Sequence, residues 1–268
     1  MGYYQGRALE ARRPRRPSSL PKRIVRVFTV GLVLAVLTQV PWRSLRRMVL
    51  VVTDLRVEGT HYLDADRVLA IAHLAKGEDL LAADPVRARQ SLLLDSRIAS
   101  ATVARRFPRG LVVRVVERTP VVLVAHGEPW EMDAAGVLLA PLQRGVVADV
   151  PMLVGPRFDG QPAGTRVSSP AVVRGLKWVE ALSNRELQLQ GQVSEVDVSD
   201  ETSTGLTLLT GTRVLAPAWP PSTRRLSALR VVLADLGHKG TTANEVDLRY
   251  EHQVIVRPAE TTPPTHSG

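Results

Sequence analysis

Six histidines, a small acidic cluster and one glycine–lysine segment are the residues of this 268-residue chain whose types invite a chemical reading. The histidines are His61, His73, His126, His238, His252 and His266. None stands in a His-Glu-x-x-His pattern or another spacing that would aim two imidazoles at one metal ion, so no metal site is expected. His61-Tyr62 reads as a loop feature. Glu128, Glu131 and Asp133 are close enough to work as an acid–base pair, but they flank a predicted turn and read as solvated hairpin charges. Gly237-His238-Lys239-Gly240-Thr241-Thr242 superficially resembles a phosphate-binding loop. Its Lys precedes the second Gly, the four-residue spacing is missing, and a predicted helix rather than a strand leads into it, so it reads as a helix-ending turn. No Gly-x-Ser-x-Gly supplies a serine nucleophile, and the absence of cysteine removes thiol catalysis and disulfides. Glu117 and Arg118 could form an ion pair, which would account for both without a chemical role. The chain therefore reads as a non-enzyme, with no catalytic, cofactor-binding or metal-ligating residues.

The charge pattern says where the remaining chemistry lies. Residues 1–47 carry 11 Lys/Arg against a single acid, Glu10, whereas the rest of the chain carries 24 basic and 25 acidic residues. The net charge of +9 thus belongs to the leading segment, and the chain beyond residue 47 has no excess cation for a phosphate backbone to use; no nucleic-acid partner is expected. Within the leading segment, Val27 to Val40 is free of charge, and Trp42, Arg43, Arg46 and Arg47 come next. This is the pattern of a single-pass transmembrane helix, residues 24–44, behind a disordered basic arm, residues 1–23. Ile24 to Val40 makes about 25 Å of helix against a hydrocarbon core of about 30 Å, which a snorkelling Arg26 and an interfacial Trp42 make tolerable. Thr38-Gln39-Val40-Pro41-Trp42 offers no small-x-small cleavage site, so an anchor is expected rather than a signal peptide. The excess positive charge keeps the arm cytoplasmic and exports the domains after it.

The exported part alternates between strand and helix signals. A strand is expected at the end of Val49–Gly59, then a helix from Asp64 or Asp66 with Val68, Ile71, Ala72 and Ala75 on one stripe, closed by Gly77. Asp84-Pro85 is a second helix start, leading to Val86 through Leu94. Ile98–Arg106 and Leu111–Glu117 read as strands around a Phe107-Pro108-Arg109-Gly110 turn. In the second of them Leu111, Val113 and Val115 are assigned to the core, with Val112, Arg114 and Val116 on the other face. Further on, Asp133-Ala134-Ala135-Gly136 turns a hairpin. Ser169-Pro170 opens a helix with Val172, Leu176, Val179 and Leu182 inward. Ser222 caps another, with Leu226, Leu229, Val232, Leu233 and Leu236 inward. Val246-Asp247-Leu248-Arg249-Tyr250 and Gln253–Val256 close the ordered part, and the tail from Pro258, residues 258–268, is expected to be disordered.

The set Val57-Glu58-Gly59, Phe107-Pro108-Arg109-Gly110-Leu111, Glu117-Arg118-Thr119-Pro120, Pro151-Met152-Leu153-Val154-Gly155 and Val246-Asp247-Leu248-Arg249-Tyr250, in that order, resembles the FtsQ (DivIB) family of bacterial cell-division proteins. The resemblance covers roughly residues 20–257. It implies an α+β architecture: the anchor, a POTRA domain of order β-α-α-β-β over residues 49–118, and a second domain of mixed β-sheet flanked by helices over residues 119–257. It further implies a non-catalytic scaffold of the divisome in the cell inner membrane. Such a scaffold links early and late division proteins at the septum through periplasmic contacts, with FtsB-like and FtsL-like proteins as partners. The alternative class is a POTRA-bearing chaperone or secretion component of the envelope; that class normally carries tandem POTRA repeats. The resemblance assigns partner binding to Val246, Leu248, Arg249 and Tyr250. Alternation places Val246, Leu248 and Tyr250 on one face and Asp247 and Arg249 on the other. The strand itself is expected either to pair on both sides or to form an edge that a partner's strand completes.

Overall fold

Apolar alternation over Leu111–Val115 demands a strand covered on at least one face, and around it the first part of the chain beyond residue 51 is built. The computed structural model describes residues 20–39, 50–143, 145–241, 243–251 and 253–258. The chain divides after Val51 into two units. The first contains helix α1 (Leu20–Gln39). Lys22, Arg23 and Arg26 lie in its first two turns, and its charge-free stretch, Val27 to Gln39, is about 20 Å long at about 1.5 Å per residue. No helix among the described residues is long and apolar enough to cross a membrane. The expected anchor extends to residue 44, of which 40–44 lie outside the described residues, as do most of the arm and the tail beyond Pro258.

The second unit opens with β1 (Asp54–Glu58), α2 (Ala65–Ala72), α3 (Pro85–Leu93), β2 (Ile98–Arg106) and β3 (Gly110–Glu117). These make a three-stranded sheet of order β1-β3-β2, with β1 parallel and β2 antiparallel to the central β3. The start of α3 is set as its sequence requires: Asp84 Oδ1 accepts from the backbone N–H groups of Val86 and Arg87 at 3.0 and 3.2 Å, ahead of Pro85. Helix α2 ends earlier than expected. His73 takes the left-handed conformation (φ 53°), its N–H donating to the Ala70 carbonyl and that of Leu74 to the Leu69 carbonyl, so Ala75 and Gly77 lie beyond the helix. Gly59 has a role only a glycine can fill: at φ 86°, a Cβ there would lie 2.1 Å from the Val115 carbonyl oxygen.

Leu111, Val113 and Val115 are buried as expected, and Arg114 and Val116 are exposed. Val112 departs from the expectation: it is 5% exposed. Its strand is the central one, and Val112 is flanked by Arg56 of β1 and Ala104 of β2; the burial is local to this position, since Arg114 and Val116 on the same face are exposed. The Glu117–Arg118 ion pair does not form either. Glu117 instead accepts from the backbone N–H groups of His61, Tyr62 and Leu63 at 2.9, 2.7 and 3.1 Å, tying the end of β3 to the loop that enters α2. Successive strand residues face opposite ways, which sends Arg118 elsewhere.

After Thr119 the chain enters a mixed nine-stranded sheet of order β12-β11-β10-β9-β8-β7-β4-β5-β6. Its strands are β4 (Pro120–His126), β5 (Glu128–Asp133), β6 (Leu138–Leu139), β7 (Met152–Val154), β8 (Val193–Asp197), β9 (Ser203–Leu208), β10 (Arg213–Pro217), β11 (Ala243–Asp247) and β12 (Ile255–Pro258). Helices α4 (Pro170–Leu182) and α5 (Thr223–His238) pack into one core with it. From α4 come Val172, Val179 and Leu182 together with Trp178, whose indole N–H reaches the Ala218 carbonyl at 3.0 Å; from α5 come Leu226 and Leu229. Leu176, Leu233 and Leu236 are only partly buried. The Asp133–Gly136 turn is as read: Asp133 Oδ1 accepts from Ala135 and Val137, and Gly136 sits at φ 78°. Pro258 is the last residue of β12, paired with Ala243, rather than the first of a disordered tail.

Candidate partner-binding site

The sheet ends at β12, and among the described residues no strand lies beyond it. It pairs antiparallel with β11, which is itself parallel to β10, so the strand holding Val246 is closed on both sides. Of the two arrangements open from the sequence, β11 takes the paired one and β12 the edge.

This placement separates the four residues assigned to partner binding. Val246 and Leu248 are fully buried and belong to the core. Arg249 and Tyr250 are at the surface, and Tyr250 is 53% exposed. The shared face expected for Val246, Leu248 and Tyr250 stops short of the tyrosine, because β11 ends at Asp247 and Tyr250 lies in the bend beyond it. Asp247 does not face solvent as its alternation suggested; it is 4% exposed. Arg249 clamps it with Nε–Oδ1 at 3.0 Å and Nη2–Oδ2 at 2.7 Å, and the Arg249 backbone N–H donates to Oδ1 at 2.9 Å. The Arg249 bond holds the Asp247 carboxyl below its ordinary pKa against the opposing effect of burial, and Asp247 in turn raises that of Arg249. Arg249 is thus committed first to a structural pair at the exit of β11.

Beside this turn a groove of about 490 Å³ opens between the start of α5 and the β11–β12 connection. Tyr250, Glu251, Gln253 and Val254 line one wall, and Ser222, Arg224 and Arg225 the other. Helix α5 carries no acidic residue in its first turn, and Ser222 makes no side-chain cap bond. Two guanidinium groups at a helix N-terminus add to the positive end of the macrodipole instead of offsetting it, so this wall favours an anionic neighbour. Sequence reasoning missed Arg224 and Arg225. The signal was present in Ser222-Thr223-Arg224-Arg225, where a helix start carries cations in place of the usual acids. His252 lies outside the described residues.

The residues that invited a catalytic reading are dispersed. His61 packs edge-on against Tyr62, and His73 closes α2. His126 stacks on Trp130 with ring centres 4.0 Å apart, its Nε2 2.9 Å from the Gln161 carbonyl oxygen. His238 ends α5, after which Lys239 pairs with Asp235 and Gly240 turns the chain at φ 60°, so the glycine–lysine segment is a helix end. Of the three hairpin acids only Glu128 is solvated. Glu131 is 3% exposed and paired with Arg97, while Asp133 is 7% exposed and paired with Arg118. Both are met by arginines that flank strands of the smaller sheet, Arg97 before β2 and Arg118 after β3, a juxtaposition that local sequence does not reveal. Among the described residues no group of three His, Asp or Glu side chains is placed to hold a metal ion.

Residues 51–118 match the family described as "POTRA domain, FtsQ-type". The protein is also similar to curated cell division proteins FtsQ. That of Syntrophotalea carbinolica is 28% identical over 159 residues, which cover 59% of this chain and 56% of the relative. That of an Anaeromyxobacter species is 28% identical over 210 residues, 78% of this chain and 70% of the relative. That of Rhodothermus marinus is 30% identical over 259 residues, 92% of this chain and 91% of the relative. The FtsQ-type POTRA match and identity sustained over nearly both full lengths with the Rhodothermus protein place this chain in the FtsQ family of cell division proteins.

Proposed function

We propose that this protein is a non-catalytic, bitopic scaffold of the division machinery, and that the open edge of β12 with the groove beside Tyr250 receives a segment of a membrane-anchored partner of the FtsB or FtsL kind. The carrying observation is the coincidence of an unpaired strand edge with a groove lined by Arg224, Arg225 and Tyr250. An added strand would gain main-chain hydrogen bonds along β12, and acidic side chains in the chain leading to it would meet the two arginines. Tyr250 supplies a large apolar surface with a polar tip.

In this reading residues 24–44 anchor the chain in the inner membrane, with the basic arm in the cytoplasm and the domains over 49–118 and 119–257 in the periplasm at the septum. The charge-free part of α1 is short for a span, so Arg26 must reach the cytoplasmic interface along its aliphatic stem. Alkaline phosphatase fused after Gly268 is expected to be active and a cytosolic reporter there silent; the reverse pattern would overturn the topology.

The partner-binding reading is tested with the full chain in lipid nanodiscs, titrated with the periplasmic segment of an FtsB-like protein. Saturable binding that Arg224→Glu together with Arg225→Glu weakens at least tenfold, with the fold intact, is the expected result. Unchanged affinity would remove the groove from the interface.

A further inference from the structure

We infer that the three-stranded and nine-stranded sheets are held as one rigid body by a buried double clasp, in which Arg97 and Arg118 at one end of the smaller sheet grip Glu131 and Asp133 on β5. Only Arg118 and Thr119 separate β3 from β4 in the chain, and two modules whose contact is not large and hydrophobic ordinarily move relative to one another. Here the junction is tied at several points. Arg97 directly precedes β2 and Arg118 directly follows β3, and the two are joined by the Arg118 N–H donating to the Arg97 carbonyl at 2.8 Å. Their side chains reach the same strand of the other sheet. Arg97 Nη1 lies 2.5 Å from Glu131 Oε2, and Arg118 Nη1 lies 2.7 Å from Asp133 Oδ2. Glu131 and Asp133 are two residues apart and so face the same way on β5.

Several further donors and acceptors are also engaged, while Glu131 Oε2 is held by its ion pair with Arg97 and has no hydrogen bond of its own. Arg97 Nε and Nη2 both donate to the Ala140 carbonyl just after β6. Glu131 Oε1 accepts from the Ala148 N–H at 2.8 Å, and Asp133 Oδ1 from Ala135 and Val137. The Arg97 and Glu131 side chains are 3% and 4% exposed. Separating the sheets would leave a guanidinium and a carboxylate parted at a surface shaped to bury them, with the Ala140 carbonyl losing both its donors. Such a pair is a weak source of net stability but a strong constraint on geometry, since one partner cannot move without stranding the other. The clasp therefore fixes the direction in which the smaller sheet points relative to the open edge of β12, whatever that edge binds.

The cysteine-free chain permits a direct test. Spin labels are placed on the exposed positions of Thr102→Cys in β2 and Glu180→Cys in α4, and the distance distribution is measured by double electron–electron resonance on the full chain in nanodiscs. The clasped protein is expected to give one narrow distribution. Arg97→Met combined with Glu131→Met keeps side-chain bulk while removing the charges, and should give a distribution about twofold broader or a second distance. Arg118→Gln, at the more exposed pair, should broaden it less. If the buried double variant does not fold, Arg118→Gln decides. A distribution as narrow as the parent's in whichever of these variants folds would overturn the clasp and leave the junction rigid for another reason.

Discussion

The two sheets each end in an exposed strand, and the two edges are treated differently. In the smaller sheet β2 is nine residues long, more than twice the length of β12, and by length alone it is the better template for another chain. Yet α3 packs along it, and Arg89 Nε donates to the Ala101 carbonyl at 3.0 Å, so a side chain already occupies one of its backbone acceptors. Arg105, near its other end, turns back to the Leu80 and Ala83 carbonyls. The edge at β12 is short, but it borders a groove with two arginines and a half-exposed tyrosine. An edge invites a partner by what flanks it, more than by how many residues it offers.

The comparison rests on both edges belonging to well-formed sheets, and the largest effect tests that. Val113 is fully buried at the centre of the smaller sheet. Val113→Asp strands a carboxylate there and should cost about 3–5 kcal/mol, enough to unfold the smaller sheet in urea titrations followed by circular dichroism. Val112→Asp, at 5% exposure, should also destabilise strongly, whereas Val116→Asp, at 58%, should stay within about 0.5 kcal/mol of the parent. If Val116→Asp melts like Val113→Asp, the open face of this sheet is covered in the protein at work.

The β12 edge comes next. Tyr250→Ala should weaken binding of an FtsB-like segment by about 1–3 kcal/mol in calorimetric titrations while leaving the melting temperature unchanged. Equal affinity would return Tyr250 to a structural role and erase the contrast between the edges. Arg249→Ala should act on the fold first. It leaves the buried Asp247 carboxylate without its main partner and should lower the melting temperature measurably, with a smaller change in affinity.

The same pair predicts a pH dependence. Asp247 is held below its ordinary pKa in the fold, so its contribution to stability is fully present above the unfolded value of about 4 and is lost as pH falls through the lower folded value. Asp247→Asn should flatten the loss of stability below about pH 4, measured as melting temperature against pH. A parallel acid profile in the variant would show that other carboxylates govern the acid limit.

The smallest effect concerns the blunted edge. Arg89→Met removes the donor to Ala101 and should cost no more than about 1 kcal/mol of stability, with affinity at β12 unchanged. It should raise self-association in sedimentation velocity if Arg89 protects the strand. A variant that stays monomeric would shift the protection of β2 to the packing of α3.

How much of this was legible in the chain differs by residue. Asp84-Pro85, Ser169-Pro170, Gly59 and the Asp133–Gly136 turn are read correctly because each acts within a few residues of itself: a cap satisfies the nearest N–H groups, and a positive φ belongs to one residue. Strand periodicity likewise marked Leu111, Val113 and Val115 as core. Apart from the early, local end of α2 at His73, the main errors involve partners distant in sequence. Val112 is buried although Arg114 and Val116 on its face are exposed, and Glu131 and Asp133 are buried where Arg97 and Arg118 reach them. Periodicity reports which face a residue takes, and it is silent on what stands opposite that face.

For the candidate site the sequence alone determined the motif that carries the family likeness and the order of the last strands, since these are written in contiguous residues. Only the tertiary structure decided that β11 is closed and β12 is the edge, that Val246 and Leu248 are core while Tyr250 is not, and that Arg224 and Arg225 stand across a groove from it. The physical reason is that hydrogen-bond partners in a sheet and the walls of a groove are chosen by the whole chain's burial of its apolar surface. No segment holds enough of that surface to choose alone.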